Sequence, residues 1–167
     1  MNPRPQNVFY GWWIVSAAFI TMFVATGFIF IEGPMWKEGK LWFSDVRGDK
    51  EQLIQAVLNI AHNAAQALAP RIEKGDAELI FRTRIARSVT LAKVRYRLAL
   101  DLHIIDNGPG IPPALQDRLF LPLVSGREGG SGLGLHLAQT FVQQHHGLIE
   151  FESEPGNTDF KILIPLP

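Results

Sequence analysis

The sequence has no cysteine, which excludes disulfides, zinc–thiolate sites and cysteine nucleophiles together and fits a reducing compartment. Neither sign of charge is in excess: Lys plus Arg is 16 and Asp plus Glu is 16. The balance holds along the chain, four against four through Asp49 and twelve against twelve after it. No global field therefore draws the protein to nucleic acid or acidic lipid. Internal repeats and low-complexity segments are absent too. At 167 residues the chain has room for one domain of ordinary size, or for a smaller domain with an appendage.

Residues 8–31 lack any charged side chain. At about 1.5 Å per residue such a run spans a hydrocarbon core of about 30 Å as a helix. Tyr10, Trp12 and Trp13 cluster at one end, where amphipathic rings favour the membrane interface. The stretch predicts an N-terminal apolar helix in residues 1–31 that anchors the chain in a membrane. A buried hairpin or core helix in a soluble protein is the alternative reading. In residues 32–48, Met35-Trp36 and Leu41-Trp42-Phe43 flank Lys37-Glu38-Gly39-Lys40, a pattern that predicts a short hairpin-like linker.

From Asp49 onward the composition is that of a soluble α/β domain. Asp49, followed three residues later by Gln52, predicts a capping box. Leu53, Val57, Ile60 or Ala61, Ala64 and Leu68 recur at helical spacing, so residues 51–68 form an amphipathic helix that Pro70 stops. Residues 78–86 and 96–106 alternate apolar and polar, as strands with one buried face do. A short helix over 113–119, a helix over 133–146 with Gly147 as its C′ residue, and closing strands over 148–152 and 158–166 complete the order. This succession predicts a mixed sheet with helices on one face.

Three places carry chemistry. Gly130-Ser131-Gly132-Leu133-Gly134-Leu135 runs straight into an apolar helix. Flexible glycines feeding a helix N-terminus favour an anion, because exposed amides and the helix dipole both attract negative charge. The G-x-G-x-x-G spacing is missing and no lysine follows the glycines, so this is neither a dinucleotide fingerprint nor a P-loop. Asn59 and Asn63 stand four apart and share one helix face, with Gln66 at its edge. An amide oxygen there can help complete the octahedron of a Mg²⁺ held mainly by phosphates and waters. Asp106-Asn107-Gly108-Pro109-Gly110-Ile111 ends a strand with a carboxylate able to accept from an exocyclic amine, above glycines that turn sharply. The long proline- and glycine-rich connection from Pro112 to Gly130, with Phe120 and Arg127 in it, has the length of a lid. Arg127 is suited to a phosphate, or is simply a solvated surface arginine.

In that order, Asn59-x-x-x-Asn63, Asp106-x-Gly108-x-Gly110, Phe120, Gly130-x-Gly132-x-Gly134 and Gly156-x-Thr158-x-Phe160 resemble the ATP-binding domain of sensor histidine kinases, in the wider GHKL ATPase superfamily. The resemblance covers residues 49–167. Within the family, Asp106-Asn107-Gly108-Pro109-Gly110-Ile111 and Pro122-Leu123-Val124-Ser125-Gly126-Arg127-Glu128-Gly129-Gly130 look most like the nitrogen-regulation sensor kinases. It implies a Bergerat-type two-layer α/β sandwich that binds Mg·ATP. It also implies Asn63 on Mg²⁺, Asn59 near the phosphates and Asp106 on the adenine amine. Gly108 and Gly110 would shape the base pocket and Phe120 would anchor the lid. Gly130, Gly132 and Gly134 would line the phosphates, with Leu133, Arg127 and Thr158 in the same nucleotide-contacting set. The basic position usual just after the second asparagine is not matched; Gln66 stands nearby.

The phosphate-accepting H-E-x-x-N-P motif of this family is missing. His62, His103, His136, His145 and His146 all fall inside the ATP-domain elements, and none sits on a separate mobile element that could meet a γ-phosphate in line. Phosphoryl transfer would then go in trans to a histidine-bearing dimerisation domain, with a response regulator as indirect partner and the ATP domain in the cytoplasm. A GHKL module that holds ATP without transferring phosphate, and a membrane fragment without nucleotide function, are the alternatives. The front of the chain is similar to other families. Residues 9–30 look like the first helix of major-facilitator transporters. Glu32-Gly33-Pro34-Met35-Trp36 with Leu41-Trp42-Phe43-Ser44-Asp45-Val46 looks like the opening of gluconolactonase-type propellers. These two short matches imply a mosaic reading frame joined near Ile31 and Asp49.

Overall fold

A computed structural model describes residues 48–126 and 130–167 with their side chains, and the backbone of residues 28–32, 36–37 and 40–41. In chain order the elements are β1 (Phe28–Glu32), β2 (Trp36–Lys37), β3 (Lys40–Leu41), α1 (Lys50–Ala67), α2 (Ala69–Ile72), β4 (Glu78–Leu91) and β5 (Val94–Asp106). They are followed by α3 (Pro113–Gln116), α4 (Gly134–Gln144), β6 (Leu148–Glu154) and β7 (Asn157–Pro165). Five strands form one mixed sheet in the order β1-β4-β5-β7-β6. Only β1 runs parallel to its neighbour; the other pairings are antiparallel.

The alternation in β5 decides where the core lies. Leu100, Leu102 and Ile104 are buried with Leu53, Ile60 and Ala64 of α1 and Ala138 and Val142 of α4, while Phe160, Ile162 and Ile164 of β7 extend the same layer. Both long helices thus cover one face of the sheet. Asp101 and His103 alternate with those core residues and belong to the other face. There His103 Nδ1 lies 2.9 Å from Asp159 Oδ2, and Arg84 contacts both His103 Nε2, at 2.9 Å, and Asp101 Oδ2, at 3.3 Å. A two-layer arrangement with helices on one face is what the sequence predicts for residues 49–167.

Several boundaries and caps depart from expectation. Asp49 does cap α1, its Oδ1 accepting from the Glu51 and Gln52 amides at 2.9 and 3.3 Å. The expected reciprocal bond from Gln52 is replaced: the Asp49 N–H donates to His145 Nε2 at 2.8 Å. Pro70 does not simply stop the helix but lies in the first turn of α2, where a missing N–H is no loss. At the end of α4 the left-handed position belongs to His146 (φ 57°), not Gly147. Gly147 is needed for another reason, since a Cβ there would stand 2.5 Å from the Leu163 carbonyl oxygen.

The largest correction concerns the front of the chain. Residues 28–31, expected as the end of an apolar helix, belong to strand β1, paired with β4 from Phe28↔Glu78 to Glu32↔Arg82. The aromatic and β-branched Phe-Ile-Phe-Ile run suits a strand, and the open edge of β4 offers it a ladder of unpaired N–H and C=O groups. Among the described residues no helix is long and apolar enough to cross a membrane. The rest of the expected helix, residues 8–27, lies outside the described residues. The short β2–β3 pairing, Trp36↔Leu41 and Lys37↔Lys40, is the hairpin predicted for the linker.

Candidate functional site

The chemistry-bearing residues gather where the ends of β5 and β7 meet the facing edges of α1 and α4. Gly134 opens α4 directly over the polar face of α1. A Cβ built on it would lie 3.9 Å from the Asn59 Cβ and Cγ and 4.0 Å from the Asn63 Nδ2. The two asparagines and the end of the glycine loop therefore lie side by side. Asn59 Oδ1 accepts from Gln55 Nε2 at 3.0 Å, but its Nδ2 is buried without a hydrogen-bond partner. A buried unpaired amide is expensive to keep, by about 1–3 kcal/mol. Among the described residues no side-chain bond caps α4 at Leu133, and the positive end of its dipole lies beside Asn59 and Asn63.

The glycine loop is set by close contact with the connection that precedes it. Gly132 has φ 65°, a region that side chains with a Cβ enter at a steric penalty. A Cβ there would also stand 2.6 Å from the Leu123 carbonyl carbon. The Leu123 amide donates to the Gly132 carbonyl at 3.1 Å, and Leu123 itself adopts φ 65° while 76% exposed. Gly130 and Leu133 are exposed on either side of this contact, and Leu133 occupies the N-cap position of α4. The Leu133 amide donates to Ser131 Oγ at 3.4 Å. Arg127 lies outside the described residues.

Phe120 fixes the beginning of the same connection. Its ring meets Phe151 edge-on at 5.9 Å, and Phe151 stacks on Phe160 at 5.8 Å. His136 Nδ1 donates to the Phe120 carbonyl oxygen at 3.1 Å, tying the segment to α4.

At the end of β5, Asp106 is 4% exposed, opposite the equally buried Thr158 of β7. Asp106 Oδ1 accepts from the Gly108 amide at 2.9 Å. The Gly108 carbonyl in turn accepts from the Gly156 amide at 2.8 Å, which seats the loop on the β6–β7 turn. Gly110, at φ 80°, would place a Cβ 2.8 Å from the Glu154 backbone, so only glycine fits. Thr158 Oγ1 lies 3.0 Å from Ser153 Oγ, which accepts from the Ile111 amide at 2.8 Å. The carboxylate thus sits at the floor of a loop whose backbone is fixed on both sides.

Three positioning contacts were invisible to motif reading because they join residues far apart in sequence. Asn107 bridges two strand ends, accepting from the Glu78 amide at 2.9 Å and donating to the Asp76 carbonyl at 2.8 Å. His145 holds α4 to the start of α1: its Nδ1 donates to the Phe141 carbonyl at 2.7 Å while Nε2 accepts from Asp49. His136 holds Phe120, as above. His62 contacts Gln66 Nε2 at 3.2 Å, so Gln66, noted at the site's edge, turns to its own helix. Among the described residues no group of three or more His, Asp or Glu side chains could hold a metal ion by itself. A cation here would depend on an amide oxygen and on groups brought by a ligand.

Comparison with known proteins bears on this geometry. Residues 48–167 match the family described as histidine kinase-, DNA gyrase B-, and HSP90-like ATPase. The sensory histidine kinase/phosphatase NtrB of Escherichia coli O157:H7 is 53% identical over 118 residues, covering 71% of this chain and 33% of that protein. NtrB of Rhodobacter capsulatus is 40% identical over 122 residues, with the same coverage of 71% and 33%. The chain thus spans about a third of the length of these curated relatives. Among solved structures, the mycobacterial sensor histidine kinase MprB superposes with a TM-score of 0.63 at 22% identity, covering 92% of this chain and 93% of that one. The catalytic domain of histidine kinase ThkA gives a TM-score of 0.66 at 18% identity, covering 99% and 97%. At such identities the likeness is one of fold.

Proposed function

This chain belongs to the histidine kinase-, DNA gyrase B-, and HSP90-like ATPase family, and we propose that residues 49–167 are an ATP-binding unit that serves phosphoryl transfer to a histidine on another polypeptide. The observation that carries the reading is the buried, unpaired Asn59 Nδ2 beside the uncapped start of α4. A buried donor without a partner beside a helix N-terminus fits an anionic ligand better than an empty surface. Phosphate oxygens would satisfy both at once.

The remaining roles follow from position. Asp106, buried at the floor of the base side, accepts the exocyclic amine of adenine. Gly108 and Gly110 leave room for the ring, and Thr158 lies across the β5–β7 ladder from the carboxylate. Gly130, Gly132, Leu133 and Gly134 present backbone to the phosphates, and Arg127 is assigned to them by motif. Phe120 roots the lid. Asn63, four residues from Asn59 on the same helix face, offers its side-chain oxygen to Mg²⁺, which would neutralise phosphate charge and orient the γ-phosphoryl group. The residues present fit that ion only as a partner of phosphates, since no carboxylate cluster accompanies Asn63 among the described residues.

Four of the five histidines have roles within the fold: His103, His136 and His145 in the contacts above, and His62 with Gln66 on α1. Phosphate acceptance is therefore assigned to a histidine-bearing dimerisation domain in trans, with a response regulator downstream. The likeness to NtrB over the matched third of that protein supports the two-component setting. The test is Mg²⁺-dependent binding of a fluorescent ATP analogue to the chain and to its Asn63→Ala and Asp106→Ala variants. It is followed by incubation with an acceptor domain and assay of acid-labile phosphate. Saturable binding lost in both variants supports the site; a folded protein that binds no analogue refutes it. Binding without acid-labile phosphate would leave a regulatory ATP module in place of a kinase.

A further inference from the structure

The nucleotide cleft leaves one feature of the molecule unused. Between Glu78 and Asp101 there is no acidic residue, yet the segment holds Arg82, Arg84, Arg87, Lys93, Arg95 and Arg97, in a chain of zero formal net charge. All six side chains are exposed. Arg84 is engaged by Asp101 and His103. Among the described residues, no carboxylate lies within ion-pair distance of Arg87, Lys93, Arg95 or Arg97.

Those four cations sit on an arm. β1 flanks β4 only as far as Arg82, and β7 flanks β5 only from Ala99. Residues 87–97 therefore continue as a two-stranded ribbon with no third strand beside it among the described residues. Its turn is made by Ala92 and Lys93, both with positive φ (46° and 68°). That is the backbone of a tight hairpin turn, built without the Asn or Gly that such turns prefer. Ser88, at φ 53°, interrupts the ladder between the pairs Arg87↔Leu98 and Val89↔Tyr96. At this kink an open concavity of about 380 Å³ is lined by Arg87, Ser88, Arg97 and Leu98. An isolated ribbon is marginally stable in water, and unpaired like charges on it repel. Both penalties are relieved by an anionic partner.

We propose that this ribbon is a docking arm for an acidic surface of a partner protein, with a carboxylate side chain of that partner seated between Arg87 and Arg97 at the Ser88 kink. The size and surroundings of the patch favour a protein over a polyanion. The arm spans roughly 20 Å at ~3.3 Å per residue, and on the sheet beyond it Asp101, Asp159 and Glu150 meet Arg84, His103 and Lys161, so the unpaired positive charge ends with the arm. A nucleic acid following the arm would run off that charge. A compact acidic patch would not. Planar guanidiniums also pair carboxylates in a bidentate way, and the concavity that Arg87 and Arg97 help to line gives that pairing a defined place. The arm is independent of the nucleotide reading and stands whether or not the cleft holds ATP.

The test uses the full chain and a fluorescein-labelled oligoglutamate peptide, followed by fluorescence anisotropy at low and physiological salt. Single-stranded DNA of matched charge and phosphatidylserine vesicles are run alongside. The expected result is saturable peptide binding that weakens steeply with salt, and weakens about tenfold in an Arg87→Glu/Arg95→Glu/Arg97→Glu variant. The milder Arg87→Gln/Arg97→Gln variant falls between, and circular dichroism with an unchanged thermal midpoint confirms that both variants fold. Equal peptide binding by the parent chain and the variants overturns the proposal. So does tighter binding of DNA or of the vesicles than of the peptide, or no peptide binding at low salt.

Discussion

Replacing Asp106 by Asn tests the base pocket at a single pair of atoms. Asp106 Oδ1 accepts from the Gly108 amide at 2.9 Å, and the residue is 4% exposed. A carboxylate offers about four acceptor positions, so the Gly108 amide alone does not exhaust what Asp106 can accept. Asparagine keeps one oxygen, enough to retain the Gly108 contact, but turns the other group into a donor. Against adenine this sets donor against donor. The loss of a hydrogen bond to a charged acceptor is about 1.5–3 kcal/mol, which predicts roughly 10- to 150-fold weaker ATP binding. Inosine carries a carbonyl where adenine carries the amine. The same substitution therefore strengthens ITP binding relative to ATP and reverses the order of preference. Competition of ATP and ITP against a fluorescent analogue gives the ratio directly. Because the Gly108 bond survives, the thermal midpoint without nucleotide stays within a few degrees of the parent. If the folded variant loses affinity for ATP and ITP in equal proportion, Asp106 supports the loop and does not read the base.

Other consequences follow from the same geometry. Gly132→Ala combines a positive φ with a Cβ 2.6 Å from the Leu123 backbone; it lowers analogue affinity by tenfold or more, at about 1–2 kcal/mol of backbone strain, and accelerates proteolysis between Leu121 and Gly126. His145→Phe removes two hydrogen bonds at a side chain 8% exposed, so urea unfolding should show about 2 kcal/mol less stability with nucleotide affinity little changed. Phe120→Ala strips the edge contact with Phe151, and should raise the dissociation rate of the analogue more than it changes the thermal midpoint.

How much of this was legible in the sequence depends on the range of the interaction responsible. Helix α1 could be read from Asp49 and the apolar spacing because capping and amphipathicity act over one or two turns. β5 could be read because its alternation is strict and one of its faces is deeply buried. Residues 87–95, between the two expected strands, carry no readable strand signal, since Ser88, Ala92 and Lys93 take left-handed backbone angles without the glycine or asparagine that announces a turn. Residues 28–31 were misread as helix because a uniformly apolar run carries no periodicity, and only the open edge of β4 selects the strand. The His145–Asp49 bond joins residues 96 apart in the chain; no local pattern can encode it. The site motifs were readable as an ordered set, but the unpaired Asn59 nitrogen belongs to packing and appears only when α4 is laid over α1.

That nitrogen also links binding to stability. The cleft combines a buried donor without a partner, a helix start without a cap, and positive φ at both Gly132 and Leu123. Each feature works against the empty domain, and each either faces the cleft or shapes its rim. Asn59→Ala separates the two roles. The substitution removes the stranded donor and loses one bond from Gln55 at 3.0 Å, terms of about 1 kcal/mol each and opposite in sign. The empty protein should therefore melt within a few degrees of the parent. Saturating Mg·ATP, which raises the midpoint of the parent with the logarithm of its concentration over Kd, should raise that of the variant by far less. A residue kept for packing would behave the other way, lowering the empty midpoint and leaving the nucleotide increment intact. The direction of those two shifts decides whether Asn59 is held in place for the fold or for the ligand.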